Sequence, residues 1–167
     1  MRLVEGTGLR TISMNVLFVC DDCSLCLMAE SILTTLGDGR IRAYSAAVAP
    51  ACAPSRTVIE FLARHHMRVE GVRPSSLERF RAGDGPRVDF IITLAEVEED
   101  FADWPGAPFI AHWNVLHEGD DIAREATQRD AFWTLTRRIK TFVMLPRGSL
   151  NRRVLEKRAL TLGATHL

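Results

Sequence analysis

The strongest constraint on the fold is a change of hydrophobic period at residue 20. Asn15-Val16-Leu17-Phe18-Val19 is apolar almost throughout, as a strand covered on both faces must be. Beyond Cys20, Leu25, Met28, Ile32 and Leu36 recur at helical spacing, and Gly37 follows as a stop signal. A buried strand feeding an amphipathic helix is half of a βαβ unit, and a strand of this kind needs helices on both sides of its sheet.

The rest of the chain continues the alternation. Ile41 to Ser45 reads as a second strand, and Ala46 to Pro54 as a proline-broken loop. Val58, Phe61, Leu62 and His65 line one face of a second helix, and Gly71 lies in the turn beyond it. Ser75 and Glu78 have capping-box spacing for a short helix running through Phe80. Val88 to Leu94 is a third strand, Phe109 to Trp113 a fourth, and Phe132, Leu135, Ile139 and Phe142 mark a long helix ended by Pro146. Leu150, Val154, Leu155 and Leu162 indicate one more helix. The expectation is a three-layer α/β fold: a four-stranded parallel sheet flanked by helices, its ligand crevice at the carboxyl ends of the strands.

With 167 residues, 47% of them hydrophobic, the chain suits one domain, expected over residues 15–167 after a loose extension over residues 1–14. Met14 is an alternative start. Twenty-one basic residues balance twenty-one acidic ones, which argues against nucleic acid as a partner. Basic residues from Arg137 to Arg158 are interspersed with apolar ones and read as a solvated helix face. No apolar run is long enough for a bilayer and residues 1–13 lack a secretory core, so no membrane partner and a cytoplasmic location are expected. In that compartment the four cysteines read as chemistry or packing rather than a disulfide framework.

Three of them fall in one short loop, Cys20-Asp21-Asp22-Cys23-Ser24-Leu25-Cys26. A strand-to-helix junction offers backbone N–H groups and the positive helix end to an anion, and a cationic side chain usually completes such a site. Here two carboxylates, Asp21 and Asp22, stand instead and repel an anion. Cys20, Cys23 and Cys26 are open to three readings: a dithiol switch, soft ligands for zinc or another thiophilic metal, or inert packing. An iron–sulfur run would need a fourth cysteine at position 30, which is Glu30. Cys52 reads as incidental. The adjacent His65 and His66 point apart on a helix, His112 and Trp113 either line the crevice or pack, and Glu96 to Asp100 reads as a solvated acidic loop.

These residues resemble the low-molecular-weight protein tyrosine phosphatases and, more closely, their thioredoxin-fed arsenate reductase relatives. The resemblance rests on Asn15 to Cys20 leading to Ser24 and to Ala29-Glu30, on Arg42 to Ala46, on Asp89 to Thr93, and on Trp104-Pro105-Gly106 followed by His112-Trp113. It implies the phosphotyrosine phosphatase I-like fold and a loop of one cysteine, five residues, an arginine and a hydroxyl residue. By that resemblance Cys20 is the nucleophile, Ser24 the supporting loop serine, and Asp21, Asp22, Cys23, Leu25 and Cys26 the remainder of the anion loop.

The departures are as informative. Cys26 stands at the arginine position, Leu27 at the hydroxyl position, Cys23 where asparagine is typical, and His117 at the position of the general-acid aspartate, before Glu118. The reductases' extra thiol has no counterpart in Leu94-Ala95-Glu96. The implied substrate is a small oxyanion or a phosphoprotein, and the implied partner thioredoxin or another protein, with no cofactor. Loss of one preorganised donor costs about 2 to 4 kcal/mol of transition-state stabilisation, so weak or absent phosphatase activity is expected, the alternatives being a non-catalytic protein that binds a protein partner and a cysteine-thiolate redox or metal-binding protein.

Overall fold

In the computed structural model the described residues are 13–37, 39–48, 53–117, 119–144 and 152–164. They form β1 (Met14–Cys20), α1 (Cys23–Leu36), β2 (Ile41–Ala47), α2 (Arg56–Arg64), β3 (Ser75–Ser76), α3 (Leu77–Arg81), β4 (Phe90–Thr93), β5 (Phe109–His112), α4 (Glu125–Val143) and α5 (Arg152–Ala164). The sheet is parallel throughout, in the order β3-β2-β1-β4-β5. The chain leaves β1 for β2 on one side and returns to pair β4 on the other. That reversal opens a crevice beyond the carboxyl end of β1, where Cys20 is the last strand residue.

Side-chain alternation along β1 divides the core in two. Val16, Phe18 and Cys20 face a large cluster with Leu25, Met28 and Ile32 of α1, Leu62 of α2, Phe132, Leu135 and Ile139 of α4, and Leu155 and Ala159 of α5. Leu17 and Val19 face a smaller cluster with Ile91, Leu77, Phe80, Val88 and Trp104. Both faces of β1 are covered, which is why its sequence is apolar without alternation.

Several boundaries differ from the sequence reading. Among the described residues there are five strands, not the expected four, because Ser75 and Ser76 pair with Ala46 and Ala47. That extended pairing displaces the expected capping box: α3 starts at Leu77 with Ser76 as N-cap and no side-chain cap bond. β2 runs on through Ala47, into the stretch read as loop, and β4 contracts to Phe90–Thr93. Gly37 ends α1 in a right-handed conformation, φ −74°, so it is not needed for backbone handedness. A Cβ there would lie 2.7 Å from the Leu33 carbonyl oxygen and 2.9 Å from that of Ile41, so the close turn into β2 requires it. Along α5, Leu155 and Ala159 are buried while Val154 is 40% exposed. Pro146, Leu150, Arg147 and Cys52, and the extension up to residue 12, lie outside the described residues.

Candidate functional site

The first turn of α1 is built around Asp22. As N-cap, its Oδ1 accepts hydrogen bonds from the backbone N–H of Ser24 at 2.8 Å and of Leu25 at 3.1 Å. A helix N-terminus leaves such donors unpaired, and they are the groups that hold an external anion in a phosphate loop. The sequence suggested that Asp22 would merely repel an anion. The fold goes further, because the Asp22 carboxylate occupies two of the donors itself.

Cys20 and Cys26 are joined by a disulfide, their Cα atoms 6.2 Å apart. Strand end and first helical turn bring them together: Cys20 closes β1, and Cys26 sits one turn into α1, where its N–H donates to the Asp22 carbonyl at 3.2 Å. Both are fully buried; the Cys20 sulfur lies 2.8 Å from the Asp22 carbonyl oxygen and the Cys26 sulfur 3.4 Å from that of Ala46. Cys23 is 5% exposed, and no described cysteine is a free thiol. The Cys20–Cys26 pair is the arrangement that one of the three readings, the dithiol switch, requires. Its spacing of six residues lets a β-to-α turn close the pair within ordinary disulfide reach. Ser24 lies on the same turn, but its hydroxyl accepts the Ser55 backbone N–H at 2.8 Å and ties α1 to the start of α2.

Two clefts meet above this turn and share Asp21, Ala95, Glu96 and Asn114. One, of about 680 Å³, is also lined by Val48, Thr93, Glu98 and His112; the other, of about 550 Å³, by Asp22, Leu116, His117 and Asp120. Among the described residues no lysine or arginine lines either. His117 thus reaches the crevice beside Asp21 and Asp22, its backbone N–H bonded to the Asp120 carboxylate at 2.9 Å. His112 lines the site with Nδ1 2.7 Å from the Thr93 hydroxyl, whereas Trp113 is core: 1% exposed, its Nε1 donates to the Ala159 carbonyl at 3.0 Å.

The acidic run is divided rather than simply solvated. Glu96 and Glu98 face the crevice, while Glu99 pairs with Arg81 at 2.6 Å. Val48, Thr93, Asn114 and Asp120 were not singled out in the sequence; their signal was position, each just past or at the carboxyl end of a strand or in the loop after one. His65 stacks on Phe61 with ring centroids 4.2 Å apart and is a packing residue. Among the described residues no group of three or more His, Cys, Asp or Glu side chains is gathered to hold a metal ion.

One ionisable group is buried beneath the loop. Glu30, 7% exposed on α1, accepts a hydrogen bond from the Ser45 hydroxyl on β2. Burial pushes its carboxyl up from the ordinary 4.5 to about 7, with the Ser45 bond opposing that rise.

A parallel α/β sheet with a cysteine ending its first strand, ahead of a helix N-terminus, defines the class of cysteine-loop phosphatase-like proteins. Residues 15–102 match the family model "Low molecular weight phosphotyrosine protein phosphatase", and the chain belongs to that family. Among solved structures it is similar to an arsenate reductase in a phosphate-binding state, with TM-score 0.64, 21% identity, and 78% of this chain and 96% of the other covered. An arsenate reductase from Archaeoglobus fulgidus gives 0.60, 24%, 77% and 98%, and YfkJ from Bacillus subtilis 0.56, 21%, 79% and 91%. At these identities the likeness carries the fold. No curated protein matches the chain.

Proposed function

We propose that this protein is a thiol–disulfide redox member of its family, in which the Cys20–Cys26 couple operates and oxyanion hydrolysis is weak or absent. The observation that carries the reading is the pairing itself: the cysteine ending β1 is bonded to a second cysteine six residues on. Cys20 is the nucleophile and Cys26 the resolving thiol. Oxidation joins the two sulfurs and releases two protons and two electrons; the electrons reduce the substrate.

A disulfide substrate takes both electrons and both protons to become two thiols, and a dithiol partner of the thioredoxin kind then returns two electrons and two protons to the Cys20–Cys26 disulfide. Arsenate is the other acceptor of the same chemistry: Cys20 displaces water from arsenic, Cys26 attacks the Cys20 sulfur, and arsenite leaves with the electron pair. The acidic crevice and the occupied Ser24 and Leu25 amides disfavour the oxyanion route. Since both cysteines are fully buried, exchange requires Cys20 to become exposed. A reducing cytoplasm would return the couple to its dithiol form.

Peptide mapping after differential alkylation tests the reading. Reduced protein treated with oxidised dithiothreitol should lose two hydrogens at Cys20 and Cys26, and p-nitrophenyl phosphate turnover should stay at background. Robust phosphatase turnover that vanishes in Cys20→Ser would overturn it. Zinc retained stoichiometrically by the reduced protein and lost in Cys23→Ser would replace it with a thiolate metal site.

A further inference from the structure

We infer that Glu30 is the proton acceptor for the Cys26 thiol when the Cys20–Cys26 disulfide closes. The inference rests on the redox reading above. Cys26 is fully buried, so its proton cannot pass directly to bulk water, yet it must leave before the sulfur can attack. Glu30 follows it by four residues on α1, hence one turn along the same face, at the spacing where side chains are neighbours.

Both residues look onto the same stretch of β2. The Cys26 sulfur contacts the Ala46 carbonyl and the Glu30 carboxyl holds the Ser45 hydroxyl, on consecutive residues. Asp22, the carboxylate one turn the other way from Cys26, has its Oδ1 engaged by the Ser24 and Leu25 N–H groups. From β1 come Val16, Phe18 and the Cys20 sulfur; from α2, Val58, Phe61 and Leu62; from α4, Phe132, Leu135 and Ile139. His65, the C-cap of α2, is stacked against Phe61, Glu60 of α2 pairs with Arg56, and Arg138 of α4 donates to the Trp113 carbonyl; the remaining charged residues of both helices are exposed. The Glu30 carboxyl is set by burial and Ser45 alone, with no charged neighbour contributing. A buried carboxyl that titrates near neutrality can both take and release a proton at working pH.

The step balances as follows. The Cys20 thiolate first attacks glutathione disulfide, forming a mixed disulfide with one glutathione and releasing the other as its thiolate; the Cys26 S–H bond then breaks and its proton goes to the Glu30 carboxylate. The Cys26 sulfur then uses its electron pair to bond the Cys20 sulfur, and the glutathione thiolate leaves and is protonated by water. In the reverse direction Glu30, as the neutral acid, protonates the departing Cys26 thiolate.

The test follows reduced protein with glutathione disulfide, quenched in acid and mapped by mass spectrometry across neutral pH. In the wild type, closure should accelerate as pH rises through about 7, where the Glu30 carboxylate forms. Glu30→Gln should accumulate the Cys20 mixed disulfide and close on the order of 100-fold more slowly, accelerating only towards the ordinary thiol range of about 8.5. Ser45→Ala removes the bond that lowers the carboxyl, so its acceleration should move to higher pH. A folded Glu30→Gln protein with wild-type rate and pH profile overturns the inference, as does an unmoved profile in Ser45→Ala should Glu30→Gln fail to fold. Failure of wild-type Cys20 and Cys26 to close at all would instead bring down the redox reading, and this inference with it.

Discussion

Replacing Glu30 by glutamine should stabilise the protein at neutral and alkaline pH while leaving it little changed in acid. The carboxyl has an ordinary value of 4.5 and a folded value of about 7, raised by burial. Between those values the folded state holds a proton that the unfolded chain has released. The contribution is fully present below 4.5, falls away as pH rises towards 7, and stays lost above it. At about 1.4 kcal/mol per tenfold change, that interval is worth roughly 3 kcal/mol, a large fraction of a typical folding free energy. Glutamine keeps an oxygen to accept the Ser45 hydroxyl but has no proton to lose.

Urea unfolding of both oxidised proteins from about pH 5 to about pH 8 checks this, since every other titrating group cancels in the difference. The stability of Glu30→Gln relative to wild type should climb by about 2.5 kcal/mol across the range. Two parallel stability curves would refute the reasoning, because they would mean that Glu30 titrates alike in the folded and unfolded chain. If the glutamine protein is also slow to close its disulfide, the cost of the buried carboxyl and its use in proton transfer are one property of one residue.

Two further expectations concern the loop and the last helix. Asp22→Ala removes the N-cap of α1 and should cost about 1 kcal/mol in chemical denaturation, while inorganic phosphate should raise its melting temperature more than that of the wild type, because the Ser24 and Leu25 amides are released. Equal phosphate shifts would show that the carboxylate does not compete for those donors. Gly163→Ala should be markedly destabilising in a thermal melt, by more than about 2 kcal/mol, since the added Cβ would overlap the His112 carbonyl oxygen where α5 packs on β5. A neutral result would mean that α5 does not dock on β5 as described.

The framework was legible because it rests on local periodicity. Val16 to Val19 are apolar on both faces since β1 is central, and Leu25, Met28 and Ile32 repeat at the period that turns one side of α1 to the sheet. β3 was not legible: two serines carry no strand pattern and become a strand only because β2 presents an open edge to them. The acidic residues of the crevice were visible as composition but not as a site. Glu96 and Glu98 line it and Glu99 does not, a distinction made by an irregular loop with no period to read.

Residue identity alone therefore determined the chemistry available at the end of β1: thiols and carboxylates in a loop with no cation, in a chain of the low-molecular-weight phosphatase family. Folding decided how those groups are spent. Whether Asp22 repels an anion or replaces one depends on where its Oδ1 lies relative to two backbone N–H groups, and whether Cys26 is inert or bonded depends on its distance from Cys20. Both are matters of ångströms set by how β1 hands the chain to α1. Glu30 is the sharpest case, since nothing in its sequence position marks a carboxyl that burial against β2 holds near neutrality.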